Sequence, residues 1–156
     1  MQDNRKIFLD SNIVIYAYSN NSADKQQKAK ELFIKQAVAI STQVLQETAN
    51  TLYRKFKADF HTIRSLLEEC VRNVPTLHVN TRETVLKACD IADRYYYSFY
   101  DSLIIASALE SGCQILYSED MQHNQIIEEE LKIINPFLSN WQSENRSNKW
   151  DKMHCL

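Results

Sequence analysis

Short apolar runs alternate along this chain with longer stretches whose apolar residues recur at helical spacing, and that alternation decides the fold class. Ile7-Phe8-Leu9, Val38 to Ile40, Leu77-His78-Val79, Gln114 to Tyr117 and Leu131 to Ile134 read as strands. Helical patterns lie between them. Ile13 to Tyr18 permits one helix; Asp24 can cap a second, with Ala29, Leu32 and Phe33 on one face. Ser41-Thr42 opens a third, bearing Val44, Leu45, Thr48, Ala49, Leu52, Tyr53 and Phe56. Ile63, Leu66, Leu67, Cys70 and Val71 form the clearest stripe, which Pro75 ends. Thr81 caps a helix with Val85, Ala88, Cys89 and Ala92 inward, and Leu103 to Leu109 is apolar nearly all round up to Gly112. Short strands separated by helices imply parallel pairing through crossovers, hence an α/β sandwich with a small, mainly parallel central sheet. No repeat or linker divides the chain: residues 1–137 read as one domain. Residues 138–156 read as a polar extension with two isolated tryptophans, Trp141 and Trp150, and no assignable role.

A single glycine, Gly112, serves all 156 residues. A Walker-type phosphate loop needs two glycines and the dinucleotide fingerprint three, because backbone must approach phosphate with no Cβ between them. Neither can exist here. With 18 Lys+Arg against 20 Asp+Glu the net charge is −2, which argues against a generally basic, nucleic-acid-coating protein; such a partner would be held locally. Cys70, Cys89, Cys113 and Cys155 show no C-x-x-C pair and no zinc spacing. The first three lie in apolar patterns and read as buried, reduced thiols, which suits a cytoplasmic compartment. The polar start, Met1 to Lys6, leads into an apolar run too short for a signal-peptide core or a membrane span.

Ligands of open α/β sheets bind beyond the carboxyl ends of the strands, so the residues that follow each strand are informative. Asp10 follows the first strand, and Glu119-Asp120 follow the fourth. Asp101 starts the apolar helix that feeds the fourth strand, and Glu47 lies early in the helix after the second. The expected topology brings these acids to one end of the sheet. Two unit charges ~5 Å apart repel by roughly 3 kcal/mol at an effective dielectric of about 20. A hard divalent cation, Mg²⁺ or Mn²⁺, removes that cost and takes oxygen ligands. Such a site activates water and neutralises a phosphodiester, which points to a hydrolase of phosphate esters. Each acid also has an ordinary use. Asp101 ahead of Ser-Leu-Ile suits a helix N-cap; Asp10-Ser11-Asn12 suits an Asx turn. Glu47 can face solvent beside Asn50 and Arg54, and Glu119 and Asp120 can be plain loop residues.

Phe8 to Asn12, Ser41 to Glu47 with Asn50, Arg54 and Lys55, Tyr100 to Ala108, Leu116 to Met121, and Ile133 to Phe137 occur in an order that resembles PIN-domain ribonucleases. The chain looks most like the single-domain VapC-type toxins of toxin-antitoxin modules, over about residues 5–137. The resemblance implies a three-layer α/β/α fold, a homodimer, an antitoxin partner, and endonucleolytic cleavage of RNA with Mg²⁺ or Mn²⁺. It also implies that Asp10, Glu47, Asp101 and Asp120 are the acidic quartet. Asp10 and Asp101 are then the principal metal ligands, completed by Glu47 and Asp120. Ser11 and Asn12 hold the positions after the first acid, and Ser118 stands where threonine is commoner before the last. Glu119 is a secondary candidate, since neighbours at a strand end point to opposite sides.

Two features depart from the family pattern. Gly often follows the last acid, where this chain reads Met121 to Gln125; Asn124 tolerates left-handed geometry well enough to keep the turn. The extension after Phe137 has no family counterpart. His123 reads as a loop residue or phosphate contact rather than a base. Lys25, Lys28 and Lys30 on one helix, and Arg54, Lys55 and Lys57 on another, are the best local basic clusters for RNA, although solvated helix faces look the same. The run Tyr95 to Tyr100 can stack bases, or pack in the core or a dimer interface. Two other functions compete. A PIN-like module that binds RNA or protein without catalysis gives no reason to cluster acids, and a haloacid-type phosphatase needs a second Asp where Asn12 stands.

Overall fold

The computed structural model describes residues 4–35 and 37–138; residues 139–156 of the extension, with Trp141, Trp150 and Cys155, lie outside them. Six strands form one sheet: β1 (Ile7–Leu9), β2 (Val38–Ser41), β3 (Thr76–His78), β4 (Ile115–Tyr117), β5 (Ile126–Ile127) and β6 (Leu131–Ile134), in the order β3-β2-β1-β4-β6-β5. All neighbours are parallel except β5, which runs antiparallel to β6. Six helices are described: α1 (Ser11–Tyr18), α2 (Ala23–Lys35), α3 (Thr42–Arg54), α4 (Phe60–Asn73), α5 (Arg82–Tyr95) and α6 (Phe99–Glu110). The fold is therefore the α/β sandwich with a mainly parallel central sheet that the alternating pattern implies.

Every residue of β1, β2 and β4 is buried, as in strands covered on both faces. Phe8 pairs with Ala39 on one side and Leu116 on the other. In α6, Ser102 to Leu109 are all buried. Its Ile104, Ile105, Ala108 and Leu109 join the main core, while Leu103 and Ala106 meet Ala88 of α5 in a small cluster of their own. The helix ends at Gly112, with φ 71°. Gly112 N–H donates to Leu109 O and Cys113 N–H to Ala108 O, both at 3.0 Å, the paired bonds of a Schellman ending. An L side chain resists that backbone conformation, so the lone glycine serves a helix end.

Several local readings change. Asp24 is the second residue of α2 and not its cap. β3 starts at Thr76, and Val79 is 61% exposed beyond its end. The inward face of α5 is Thr84, Ala88 and Ile91, with Val85 and Cys89 exposed. Thr81 and Thr84 close a capping box, and Thr84 also donates to Glu110; a satisfied polar residue thus takes a core position that apolar periodicity cannot see. β5 has two residues and exists through pairing with Leu131 and Lys132.

The strand order places the site. From β1 the chain moves outward to β2 and β3, then crosses back to β4 on the other side of β1. The switch point lies between β1 and β4, where a crevice opens at the carboxyl ends.

Candidate active site

Asp10 sits at that crevice. Its N–H donates to Tyr117 O at 3.0 Å, tying the end of β1 to the end of β4. Its side chain caps α1, with Oδ1 accepting from Ser11 N at 2.7 Å. Oδ2 accepts from Ser118 Oγ at 2.8 Å. Asp10 is 4% exposed. Burial lifts its carboxyl from 3.8 to about 7; the bonds from Ser118 and Ser11 oppose that rise, and the charges of Glu47 and Asp101 reinforce it.

Glu47 is brought in by α3. Ser41 caps that helix, accepting from Val44 N, so Glu47 stands one to two turns from the carboxyl end of β2. Ser11 Oγ donates to Glu47 Oε2 at 2.9 Å. Gln43 Nε2 donates to Glu47 Oε1 at 2.6 Å and to Tyr100 O at 3.0 Å. Gln43, which sequence reasoning passed over, thus ties Glu47 to the start of α6. Its Oε1 is buried with no partner among the described residues. Only its spacing four residues ahead of Glu47 on one helix face hinted at that link.

Asp101 is not the cap of α6. Ser98 is, accepting from Asp101 N at 3.2 Å, because the helix begins two residues earlier at Phe99. The Asp101 carboxyl lies in the first turn and bonds the side chain of that same Ser98, which opposes the effect of burial on its pKa. Partial burial raises its pKa, and the nearby charge of Asp120 adds to that.

Asp120 Oδ2 accepts from Asn12 Nδ2 at 3.0 Å. Asn12 Oδ1 accepts from Glu119 N at 3.4 Å, so one amide grips two successive residues of the loop after β4. Ser118 Oγ accepts from Asp120 N at 3.3 Å while donating to Asp10. Glu119 turns elsewhere: Lys25 Nζ lies 2.6 Å from its Oε1. Lys25 also donates to Tyr16 Oη and stands over the rings of Tyr16 and Phe137. That cation is an anchor for the loop.

The other candidates fall into structural places. His123 Nδ1 accepts from Asn135 N at 3.0 Å, and Asn124 takes φ 68°, so the loop turns without glycine. The tyrosine run splits. Tyr95 Oη accepts from Glu128 N, and Tyr97 Oη donates to Gln125 Oε1, whereas Tyr96 and Tyr100 are 91% and 68% exposed. Among the described residues no three His, Cys, Asp or Glu side chains close into a cage around a cation. The four acids instead form a chain of electrostatic neighbours, Glu47 to Asp10 to Asp101 to Asp120.

Ser118 offers a direct test of this coupling. Hydrogen bonds to charged groups contribute about 1.5–3 kcal/mol and neutral ones about 0.5–1.5. Ser118→Ala should therefore lower stability more at pH 8, where Asp10 is charged, than at pH 5. Thermal unfolding in chelator at the two pH values reads the difference; equal losses would show that the hydroxyl does not act on the ionised form.

Residues 7–128 match the PIN domain family. The chain belongs to the PIN domain family. Solved structures share its fold. The Mycobacterium tuberculosis VapC20, described as a sarcin-ricin loop cleaving toxin, is 23% identical with a TM-score of 0.58, covering 73% of this chain and 89% of that one. A toxin-antitoxin complex from Klebsiella pneumoniae gives 15% identity and a TM-score of 0.64, covering 84% and 98%. DNA-bound VapBC from Salmonella typhimurium gives 15% and 0.60, covering 85% and 98%. At these identities the likeness establishes the fold. No curated protein sequence matches the chain. Among the described residues no helix of this PIN domain is long and apolar enough to cross a membrane.

Proposed function

We propose that this PIN domain is a divalent-metal-dependent endoribonuclease that hydrolyses RNA phosphodiester bonds, and that it is the toxin of a toxin-antitoxin pair in the cytoplasm. The observation that carries the reading is Asp10: a carboxyl 4% exposed, at the switch point of the sheet, coupled to Glu47 and Asp101. A binding module gains nothing from burying an acid among acids. The donors are all oxygens, and Gln43 Oε1 adds a buried acceptor without a partner among the described residues; that chemistry suits Mg²⁺ or Mn²⁺, which retain several waters and need no protein cage.

Asp10 and Asp101 would hold the cation, with Glu47 and Asp120 completing the site directly or through water. The bound ion supplies charge neutralisation at the phosphodiester and an activated water. Ser11, Ser118, Asn12 and Gln43 keep the carboxylates oriented through the bonds given above. The toxin assignment rests on the family and on relatives solved as toxin-antitoxin complexes, from which an antitoxin partner follows. Exposed Phe99 and Tyr100 at the start of α6, packed edge to face, offer an apolar patch for a second copy, supporting a homodimer.

The test is incubation of the purified protein with structured RNA and Mn²⁺, beside a chelator control and Asp101→Asn, with calorimetric titration of Mn²⁺ in parallel. Cleavage should require both the ion and the acid. Cleavage surviving in both controls would identify a contaminant, and absence of Mn²⁺ binding would overturn the metal assignment.

A further inference from the structure

α3 and α4 meet at an elbow, where Lys57 takes φ 57° and turns the chain. Two rings stack across it: Tyr53 and Phe60, with centroids 4.6 Å apart and planes at 18°. They are 50% and 63% exposed, so the stack is maintained in water. Arg54, Lys55 and Lys57 lie in the same turn of chain, all exposed; Lys55 Nζ stands over the Phe56 ring, and none of the three is paired with a carboxylate among the described residues. Four other bases are engaged: Lys25, Arg64, Arg82 and Arg94 each lie 2.6–3.5 Å from an acid. Asp59, the acid nearest the elbow in sequence, accepts from Thr62 through both oxygens at 2.9 Å. Arg54 lies seven residues after Glu47 on the same face of α3, about 10 Å along the helix.

We propose that this elbow is a landing ledge for unpaired RNA. A base stacks on the Tyr53–Phe60 pair, phosphates meet Arg54, Lys55 and Lys57, and the strand continues along α3 past Asn50 to the acids. This rests on the nuclease reading and names where the chain holds its substrate. Stacking and cations free of carboxylates together match a flexible polyanion with exposed aromatic faces. Neither discriminates among bases, so the ledge supplies affinity and leaves the choice of cleavage position to the site. Phe60 also borders an apolar groove between α3 and α4 of about 770 Å³. A protein seated in that groove would use Phe60 and be indifferent to the lysines.

Fluorescence anisotropy of a labelled oligouridylate of about 12 nucleotides, in chelator across a salt series, tests the proposal. The triple variant Arg54→Gln, Lys55→Gln, Lys57→Asn, whose Asn suits the left-handed position, should lose about tenfold in affinity or more at ~50 mM salt. Its slope of log K against log salt should flatten by about 2, since each single-strand phosphate contact contributes about 0.7. Tyr53→Ala should lose about tenfold at every salt concentration with the slope unchanged, and Tyr53→Trp should retain binding. Circular dichroism melts establish that the variants are folded. Equal affinity of wild type and triple variant, or no binding by the wild type, overturns the ledge, and Mn²⁺-dependent cleavage would still uphold the nuclease reading. Binding that depends on the elbow with no cleavage under any metal overturns the nuclease reading instead. A change of sedimentation in Phe60→Ala without a change in RNA affinity assigns the face to protein and overturns the ledge.

Discussion

Asp10→Asn should stabilise the metal-free protein at pH 8 while lowering Mn²⁺-dependent cleavage by roughly 10³-fold, the loss expected when a group that stabilises transition-state charge is removed. The stability gain follows from linkage. The carboxyl has a pKa of 3.8 when solvated and about 7 in the fold. Below pH 3.8 it is protonated in both states and folding carries no ionisation penalty. Between 3.8 and about 7 folding must take up a proton, so stability falls as the pH rises, and above the folded pKa the charge is buried and the loss is complete. The full difference is about 4 kcal/mol, from about 1.4 kcal/mol per pKa unit. Asn keeps an acceptor for Ser11 N and a group to meet Ser118 Oγ, and it carries no charge.

In chelator at pH 8 the variant should therefore unfold roughly 10 °C above the wild type, and near pH 4 the two should nearly coincide. Mn²⁺ should raise the wild-type transition and leave the variant unmoved. Coincident transitions at pH 8 without metal would refute the claim that a buried charge at Asp10 opposes folding.

Phe8→Ala should cost about 3–5 kcal/mol, the usual range for a large side chain removed from a core. Phe8 is 0% exposed at the middle of the sheet, between Ala39 and Leu116 of the adjacent strands. Both faces of β1 are covered, so the cavity cannot close by local collapse. Against a total stability of about 5–15 kcal/mol for a domain of ordinary size, that loss is a large fraction. A urea titration should show a lower midpoint with an unchanged slope. Leu86→Ala, at a position 48% exposed, should shift the midpoint by less than a quarter as much; equal shifts would contradict the burial described.

The elements legible in sequence were those whose pattern repeats. The α4 stripe and the all-round apolar α6 were visible because burial of a helix face imposes a period that residues display directly. Gly112 was legible as a helix end because only a residue without Cβ takes φ 71° readily. The misreadings share a cause. Thr84, a polar residue with partners, occupies an inward position on α5, and Ser98 caps α6 ahead of the more conspicuous Asp101. Two-residue β5 has no pattern at all and depends on β6 for its existence. Each depends on which hydrogen bonds are satisfied, and periodicity does not record that.

The opening alternation of strands and helices, together with acids standing after strands, was enough to determine the fold class and to mark Asp10, Glu47, Asp101 and Asp120 as worth attention. Setting those four of the 20 acids aside leaves 16 against 18 bases, so the rest of the chain is slightly basic and its net charge says little against an RNA partner. Only the tertiary structure decided which of the neighbouring polar groups serve the site. Glu119 is taken by Lys25, Gln43 joins α3 to α6, and Ser118 is shared between two acids. Burial and pairing are properties of residues more than 100 positions apart meeting at one sheet end, as Asn12 and Asp120 do across 108. A linear sequence specifies residue types and spacings; dielectric and distance, which set the charge of a carboxylate, exist only once the chain has closed.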